Sequence, residues 1–384
     1  MAPATDDRPQ ATTGSRRLSL PGQIVLVLQG GGALGSYQAG VYQALHEAGI
    51  EPDWVIGTSI GAINAALIVG NPPELRLPRL RAFWQRVEQR PLWGGWQGLD
   101  AGLSSWSILS QGIAGFFKPN PLAHCGATYP IGPDRAGYYS LEPLQQTLTE
   151  LVDFNIVNQR HQRLTVGAAQ VRTSAMHYFD SRSAELSVQH IMASGALPPA
   201  FPPVRIDGEL YWDGGILSNS PTEVVFDDNP RRDSLVFSVN LWSPDGAEPR
   251  TMAEVLHRQK DIQFSSRILD HIQRQQQTHQ LRHIIAQLAA RLSEVERSDE
   301  AVRELTSYGC QTRMHVVPLL APPFKSDSHS KDIDFTAAGI KQRWEAGYAH
   351  TSDVLARAPW IGEFDPLSAV ILHEQIIAMP AAAE

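Results

Sequence analysis

Three short stretches of this 384-residue chain hold residue types that do chemistry. Gly57 to Gly61 reads GTSIG, the G-x-S-x-G pattern in which a sharp turn brings a serine out as a nucleophile. Asp213 to Gly215 reads DGG and sets a carboxylate ahead of two glycines. Gly30 to Gly35 reads GGGALG, and Gly30, Gly32 and Gly35 spell G-x-G-x-x-G, a loop that presents backbone amides to negative charge. A serine nucleophile needs a base and an oxyanion hole. Taken alone, GTSIG is also an ordinary strand-to-helix turn, and DGG a tight turn after the strand pattern Glu209 to Trp212. Among 13 histidines, His190, just upstream of the ASGALPP stretch, is a candidate base.

The elements that must position these residues read clearly at the start of the chain. Ile24 to Leu28 is a run of β-branched residues and leucine, the pattern of a strand buried on both faces. Tyr37, Val41, Leu45 and Ala48 recur at helical spacing, with Gly49 as a C-cap. Trp54 to Ile56 is a second strand leading into GTSIG, and Ile60 to Val69 a helix stopped by Gly70 and Pro72. Strand, helix, strand, helix opens a parallel α/β sheet. The second helix aims its amino end at Ser59, where its dipole favours an oxyanion. Neighbouring parallel strands end side by side, so the N–H groups of Gly31, Gly32 and Ala33 are expected above Ser59.

Other readings of the glycine loop lack their partners. A dinucleotide site wants an acidic residue at the end of the second strand. Here Glu51 and Asp53 precede that strand, and its end is the serine turn. A Walker loop wants lysine where Ser36 stands. A single strand and helix before the serine is too little chain for an ordinary α/β-hydrolase.

Apolar residues at 42 % and charged residues at 19 % suit a sizeable globular core. The net charge of −8, spread without blocks, argues against nucleic acid and against a strong pull to anionic lipid. Cys125 and Cys310 are too few for a disulfide framework and lack metal-type spacing. No apolar run reaches membrane-span length and no secretory signal is visible, so a cytoplasmic protein is expected. The expected division is a disordered tail over 1–20, a core over 21–250 and a mostly helical extension over 251–384 that packs on it. The Gly- and Pro-rich stretch from Pro91 to Gly137 predicts long loops with short helical pieces. Its aromatic part, Trp93 to Phe117, is either a lid or acyl-pocket wall or a satellite apolar cluster. Ser140 is an N-cap candidate for a helix to Val152, and Leu164 to Val171, Leu235 to Leu241 and Met314 to Leu320 predict strands. Helical periodicity from Thr251 to Leu305 places Val255, Ile262 and Leu269 on one apolar face. Leu281, Ile284, Leu288, Leu292 and Val295 fall on another, and the polar RQQQTHQ between the two faces reads as an exposed hinge. Two last helices are expected after Asp334 and Asp365.

Together the motifs resemble the patatin-like phospholipase family. GGGALG, GTSIG, the segment ASGALPPAFPP (Ala193 to Pro203) and DGG occur in that family's order, over roughly residues 22 to 245. The resemblance implies a three-layer α/β/α fold with a mostly parallel central sheet. It further implies a serine esterase or lipid acyl hydrolase with a Ser–Asp dyad, Ser59 as nucleophile and Asp213 as base. Gly30, Gly31, Gly32, Ala33 and Gly35 form its oxyanion loop; Gly57, Gly61, Gly214 and Gly215 support the motifs, and Asn219 and Pro221 fix the loop beside the base. Many members carry Arg or Lys where Leu34 stands, so this loop brings amides without a cation of its own. No metal or organic cofactor is implied. The expected partner is a lipid or other acyl ester, from phospholipids to hydroxyalkanoate oligomers. Membrane contact is at most peripheral, and the C-terminal helices could form a homodimer. The alternatives from other classes are a lipid-binding scaffold with a degenerate site and a nucleotide-binding enzyme.

Overall fold

QIVLVL, buried at every position after the first, forms a strand in the middle of the main sheet. The computed structural model describes residues 20–89, 111–126, 128–265, 268–324 and 327–373. Its elements run β1 (Gln23–Leu28), α1 (Ser36–Glu47), β2 (Trp54–Thr58), α2 (Ile60–Val69), α3 (Pro73–Arg86), β3 (Lys118–Pro119) and β4 (Tyr139–Ser140). Then follow α4 (Glu142–Leu151), α5 (Phe154–Asn158), β5 (Arg163–Gln170), β6 (Met176–Asp180), α6 (Val188–Ser194), β7 (Val204–Ile206), β8 (Glu209–Asp213), α7 (Glu223–Phe226) and β9 (Ser234–Asn240). The last elements are α8 (Met252–Phe264), α9 (Ile268–Ala290), α10 (Glu294–Ser298), α11 (Glu300–Ser307), β10 (Met314–Leu320), α12 (Ala337–Arg357) and β11 (Val370–Leu372).

Among the described residues the main sheet has nine strands in the order β11-β10-β9-β1-β2-β5-β8-β7, with β6 also on β5. From β11 to β5 every pairing is parallel; β6, β7 and β8 pair antiparallel. Alternate residues of β1 feed two cores, as the period of two requires. Leu26 and Leu28 pack with α1, α2 and α12 residues on one face, and Val25 and Val27 with Val225, Phe226 and Ile272 on the other. The result is the three-layer α/β/α arrangement that the resemblance implied. α1 and α12 touch backbone to backbone: a Cβ on Gly40 would fall 1.9 Å from the Trp344 carbonyl oxygen. Met314–Leu320, a core strand as expected, pairs with β9, so the chain beyond 250 shares one sheet with the chain before it.

One feature of the register places the site. β5 pairs with β2 from Arg163 to Gly167, with β6 from Thr165 to Ala169, and with β8 from Ala168 to Gln170. β6 overlaps both β2 and β8, so those two strands must share the opposite edge of β5. There they run head-on. β2 ends with Thr58 opposite Gly167, and β8, coming the other way, ends with Asp213 opposite Ala168. The residue after β2 is Ser59.

Four expectations change. RQQQTHQ is not a hinge; it lies inside the continuous helix α9, because Gln and Arg are good helix formers, and Gln276 and His279 hold it to the sheet and to α7. Val255, Ile262, Leu281, Leu288 and Val295 do not build apolar interfaces but are exposed, while the side chain of Leu269 lies outside the described residues. Asp365 caps a turn through the Leu367 amide (2.9 Å), and a three-residue strand follows instead of a helix. The α4 N-cap is Leu141, with Ser140 accepting from the Glu142 amide at 3.3 Å, and α12 is capped by Thr336 instead of Asp334. Of the aromatic stretch, Trp93, Trp96 and Trp106 lie outside the described residues, while Phe116 and Phe117 are buried. Among the described residues no helix is long and apolar enough to cross a membrane.

Candidate active site

Ser59 sits at φ 57° and ψ −125°, a conformation that costs a non-glycine residue on the order of 1–3 kcal/mol. The glycines beside it make the bend sterically possible. Gly61 packs on the end of β1, where a Cβ would lie 2.2 Å from the Leu28 carbonyl oxygen, and Gly57 packs on the Gly61 backbone. All ten residues of α2 are buried, so this helix is fixed with its amino end at Ser59.

Asp213 faces Ser59 from the end of β8 and is 1 % exposed. Its carboxylate accepts the Ser59 hydroxyl and the Gly215 amide (2.7 Å). Burial pushes its pKa from 3.8 up to about 7, and the two hydrogen bonds oppose that rise. A carboxylate at such a value is a far better base near neutrality than a solvated one. Gly214 packs on the Gly167 carbonyl and Gly215 beside Asn219, close under the carboxylate.

The glycine loop closes the third side. The Gly30 carbonyl is held by Trp242 Nε1 (2.8 Å) and Asn219 Nδ2 (3.1 Å), and the Gly30 amide donates to the Asn219 carbonyl (3.1 Å). Asn219, expected to fix the loop beside the base, ties that loop to the glycine loop. Gly30, Gly31 and Gly32 line one cavity with Ser59 and Asp213. The amides of Gly31 and Gly32 take no backbone partner among the described residues. Ala33 and Gly35 stand behind this row: the Ala33 carbonyl accepts from Ser36 Oγ (3.1 Å), and Gly35 packs on Ile60. Leu34 is buried and lines a separate crevice with Leu241, Lys331 and Arg343. Gly32 has φ +56°, and a Cβ there would fall 2.2 Å from the Asp332 carbonyl oxygen. Gly32→Ala is therefore expected to lower stability by at least ~2 kcal/mol in urea unfolding, from left-handed strain plus displacement of the 331–333 turn.

The cavity measures about 170 Å³ and is walled by Phe116, Phe117, Phe201, Phe335, Trp242 and Phe264. Phe117 and Phe201 meet edge to face at 5.5 Å between centroids, and Phe116 and Phe335 lie 5.7 Å apart. Phe264, Asp332, Ile333 and Phe335 come from the C-terminal region, to which sequence reasoning assigned no part in the site. Nothing local marks them. The turn that carries them is tied to α8 by crossed ion pairs, Lys260 to Asp332 (2.6 Å) and Lys331 to Asp261 (2.7 Å). His190 is not in the cavity lining: its Nδ1 accepts the Ser187 amide (2.9 Å) as part of the α6 cap, and its ring packs on Phe179. Among the described residues no group of three or more His, Cys, Asp or Glu could hold a metal ion.

The strained serine elbow thus faces a buried carboxylate at the carboxyl end of a mostly parallel sheet covered by helices on both faces. The family model described as "Patatin-like phospholipase" matches residues 26–226, and a second, described as "Patatin phospholipase", matches residues 262–367. The chain belongs to the patatin-like phospholipase family. It is 29 % identical over 237 residues to lysophospholipase NTE1 of Cryptococcus neoformans, covering 59 % of this chain and 12 % of that one. An uncharacterised NTE-family protein of Mycobacterium tuberculosis is 28 % identical over 217 residues, covering 56 % of this chain and 30 % of its own. The chain thus spans a minor part of the curated relatives it matches. VipD from Legionella pneumophila aligns over 92 % of this chain and 72 % of its own, at 16 % identity and a TM-score of 0.39.

Proposed function

We propose that the chain hydrolyses carboxylic esters of lipids through an acyl-enzyme on Ser59. Asp213 accepts the Ser59 proton as Oγ attacks the acyl carbonyl. The amides of Gly31 and Gly32, with the amino end of α2, stabilise the oxyanion. Collapse of the tetrahedral intermediate expels the alcohol, which takes the proton from Asp213 and leaves an ester on Ser59. Asp213 then takes a proton from a water that attacks the acyl carbon, and returns it to Ser59 Oγ as the acyl–Oγ bond breaks and the acid leaves. The observation that carries this reading is that Ser59, the buried Asp213 and the glycine loop line one cavity. The aromatic wall suits an acyl chain. The name of the fungal relatives makes a lysophospholipid the first natural substrate to assay.

The test is a fluorophosphonate probe followed by an ester panel. Covalent modification of Ser59 is expected, faster as pH rises through about 7, where Asp213 loses its proton. Release of acid from p-nitrophenyl esters and from lysophospholipid should accompany it. Absence of both labelling and turnover would leave a lipid-binding protein with a silent site.

A further inference from the structure

The register leaves a gap in the sheet where β2 stops and β8 arrives, and Ser194 fills it. Its hydroxyl accepts the Ser59 amide at 3.0 Å and donates to the Gly167 carbonyl at 2.6 Å. Ser194 is 0 % exposed. Two residues further on, the Ala196 carbonyl accepts the Asp213 amide at 3.0 Å. One turn at the end of α6 thus grips the backbone of the nucleophile with one residue and that of the base with another. Gly195 and Leu197, in the same turn, line the cavity.

We infer that Ser194 is the positioning residue of the Ser59–Asp213 pair, setting the distance and angle at which the serine hydroxyl meets the carboxylate. The inference rests on the proposed function and extends it to a residue that touches no reacting atom. Three consequences follow from the geometry. The elbow is strained, and the Ser194 hydroxyl is the side-chain acceptor that holds its amide in the bent conformation. The Ser59 amide, being taken, is not free for the oxyanion, which leaves that task to the glycine loop and α2. The same hydroxyl anchors to Gly167, the residue of β5 opposite the end of β2 and next to the one opposite Asp213, so both halves of the pair share one reference point.

Ser194→Ala removes the link and leaves the cavity lining in place. The expected result is a fall in kcat of about ten- to a hundredfold for a p-nitrophenyl ester, as for a displacement of about 1 Å at a reacting pair, with KM within about twofold. Ser194→Thr, which keeps the hydroxyl, should recover most of the rate. A pH profile separates positioning from simple loss of folded protein. The bond from Ser59 lowers the Asp213 pKa, so loosening it moves the inflection of the rate upward, whereas loss of folded protein lowers the rate without moving it. The other titratable groups on packed elements stay the same in both proteins: Glu223 bonded to Tyr178, Asp332 held by Lys260, and His190 in its cap. Independently of activity, the Ser59 amide should exchange with deuterium faster in Ser194→Ala than in the wild type.

Unchanged kcat and inflection in folded Ser194→Ala, an equal loss in Ser194→Thr, or unchanged exchange at Ser59 would overturn the inference. A wild type that is inert to esters and to fluorophosphonate would instead overturn the proposed function, and the exchange experiment would still decide the role of Ser194.

Discussion

Ser59→Ala is expected to abolish ester turnover, on the order of 10⁶-fold in kcat where the acyl-enzyme route is the only one. The fold should survive. Ala adds no atoms at a position already at φ 57°, so the strain of the elbow is unchanged. What goes is the hydroxyl and its bond to Asp213. With that bond gone the carboxyl loses one of the two interactions that hold its pKa down, so it keeps its proton to higher pH. No nucleophile remains in reach of Asp213 except a water, and that water would have to enter the aromatic cavity. Initial rates on a p-nitrophenyl ester, with thermal unfolding of the same samples, check both halves. A folded variant that retains more than about a hundredth of the wild-type rate would remove Ser59 from the mechanism.

How much of this site was legible in the sequence depends on how local its geometry is. The glycine loop, the elbow and the helices behind them lie in one short stretch. Their strands are unbroken apolar runs and their turns are set by glycine, so pattern alone placed Ser59 under the loop. Asp213 is different. Its motif could be read only through a family resemblance, because what brings it to Ser59 is the head-on meeting of β2 and β8 on one edge of β5, a register that composition does not encode. Ser194 was legible as part of ASGALPP and not as a contact. Phe264, Asp332 and Phe335 left no signal: an aromatic near a helix end and an acidic turn occur in any surface segment. The C-terminal region also misled through residues with two uses. Asp365 is as good a turn former as a helix cap, since a short carboxylate satisfies nearby amides in either setting. Val255 and Ile262 recur at helical spacing, yet both are exposed, and α8 is held by Phe264 against Trp242 and by polar contacts through Lys260, Asp261 and Arg258, which donates to the Pro244 carbonyl (2.6 Å). A periodic apolar face says where a helix could bury surface and not that it does.

Asp213→Asn is expected to move activity and stability in opposite directions. The native state holds the Asp213 proton up to about 7, while an unfolded chain releases it near 3.8. Between those values the folded protein binds more protons than the unfolded one, so stability falls as pH rises. The contribution of the protonated carboxyl is complete below 3.8 and gone once pH has passed about 7. Above that, an ionised carboxylate is carried in the interior at a cost of up to ~4 kcal/mol, the equivalent of the displacement in pKa. Asparagine keeps an oxygen for the Gly215 amide, offers an N–H to Ser59 and never ionises. The variant should therefore unfold at higher urea than the wild type at pH 8, by an amount equivalent to as much as ~4 kcal/mol, and the difference should vanish toward pH 4. Contributions from every other carboxylate cancel in that comparison. Turnover should fall by about 10²–10⁴-fold above pH 7, because the proton acceptor is gone, and the deficit should narrow at lower pH as the wild-type carboxylate takes up its own proton. The two effects share one cause, a carboxylate kept out of water so that it can act as a base, and they must appear together. A variant that is inactive yet no more stable at pH 8 would mean that Asp213 is solvated and that its basicity comes from elsewhere; one that is more stable yet active would mean that another group takes the Ser59 proton.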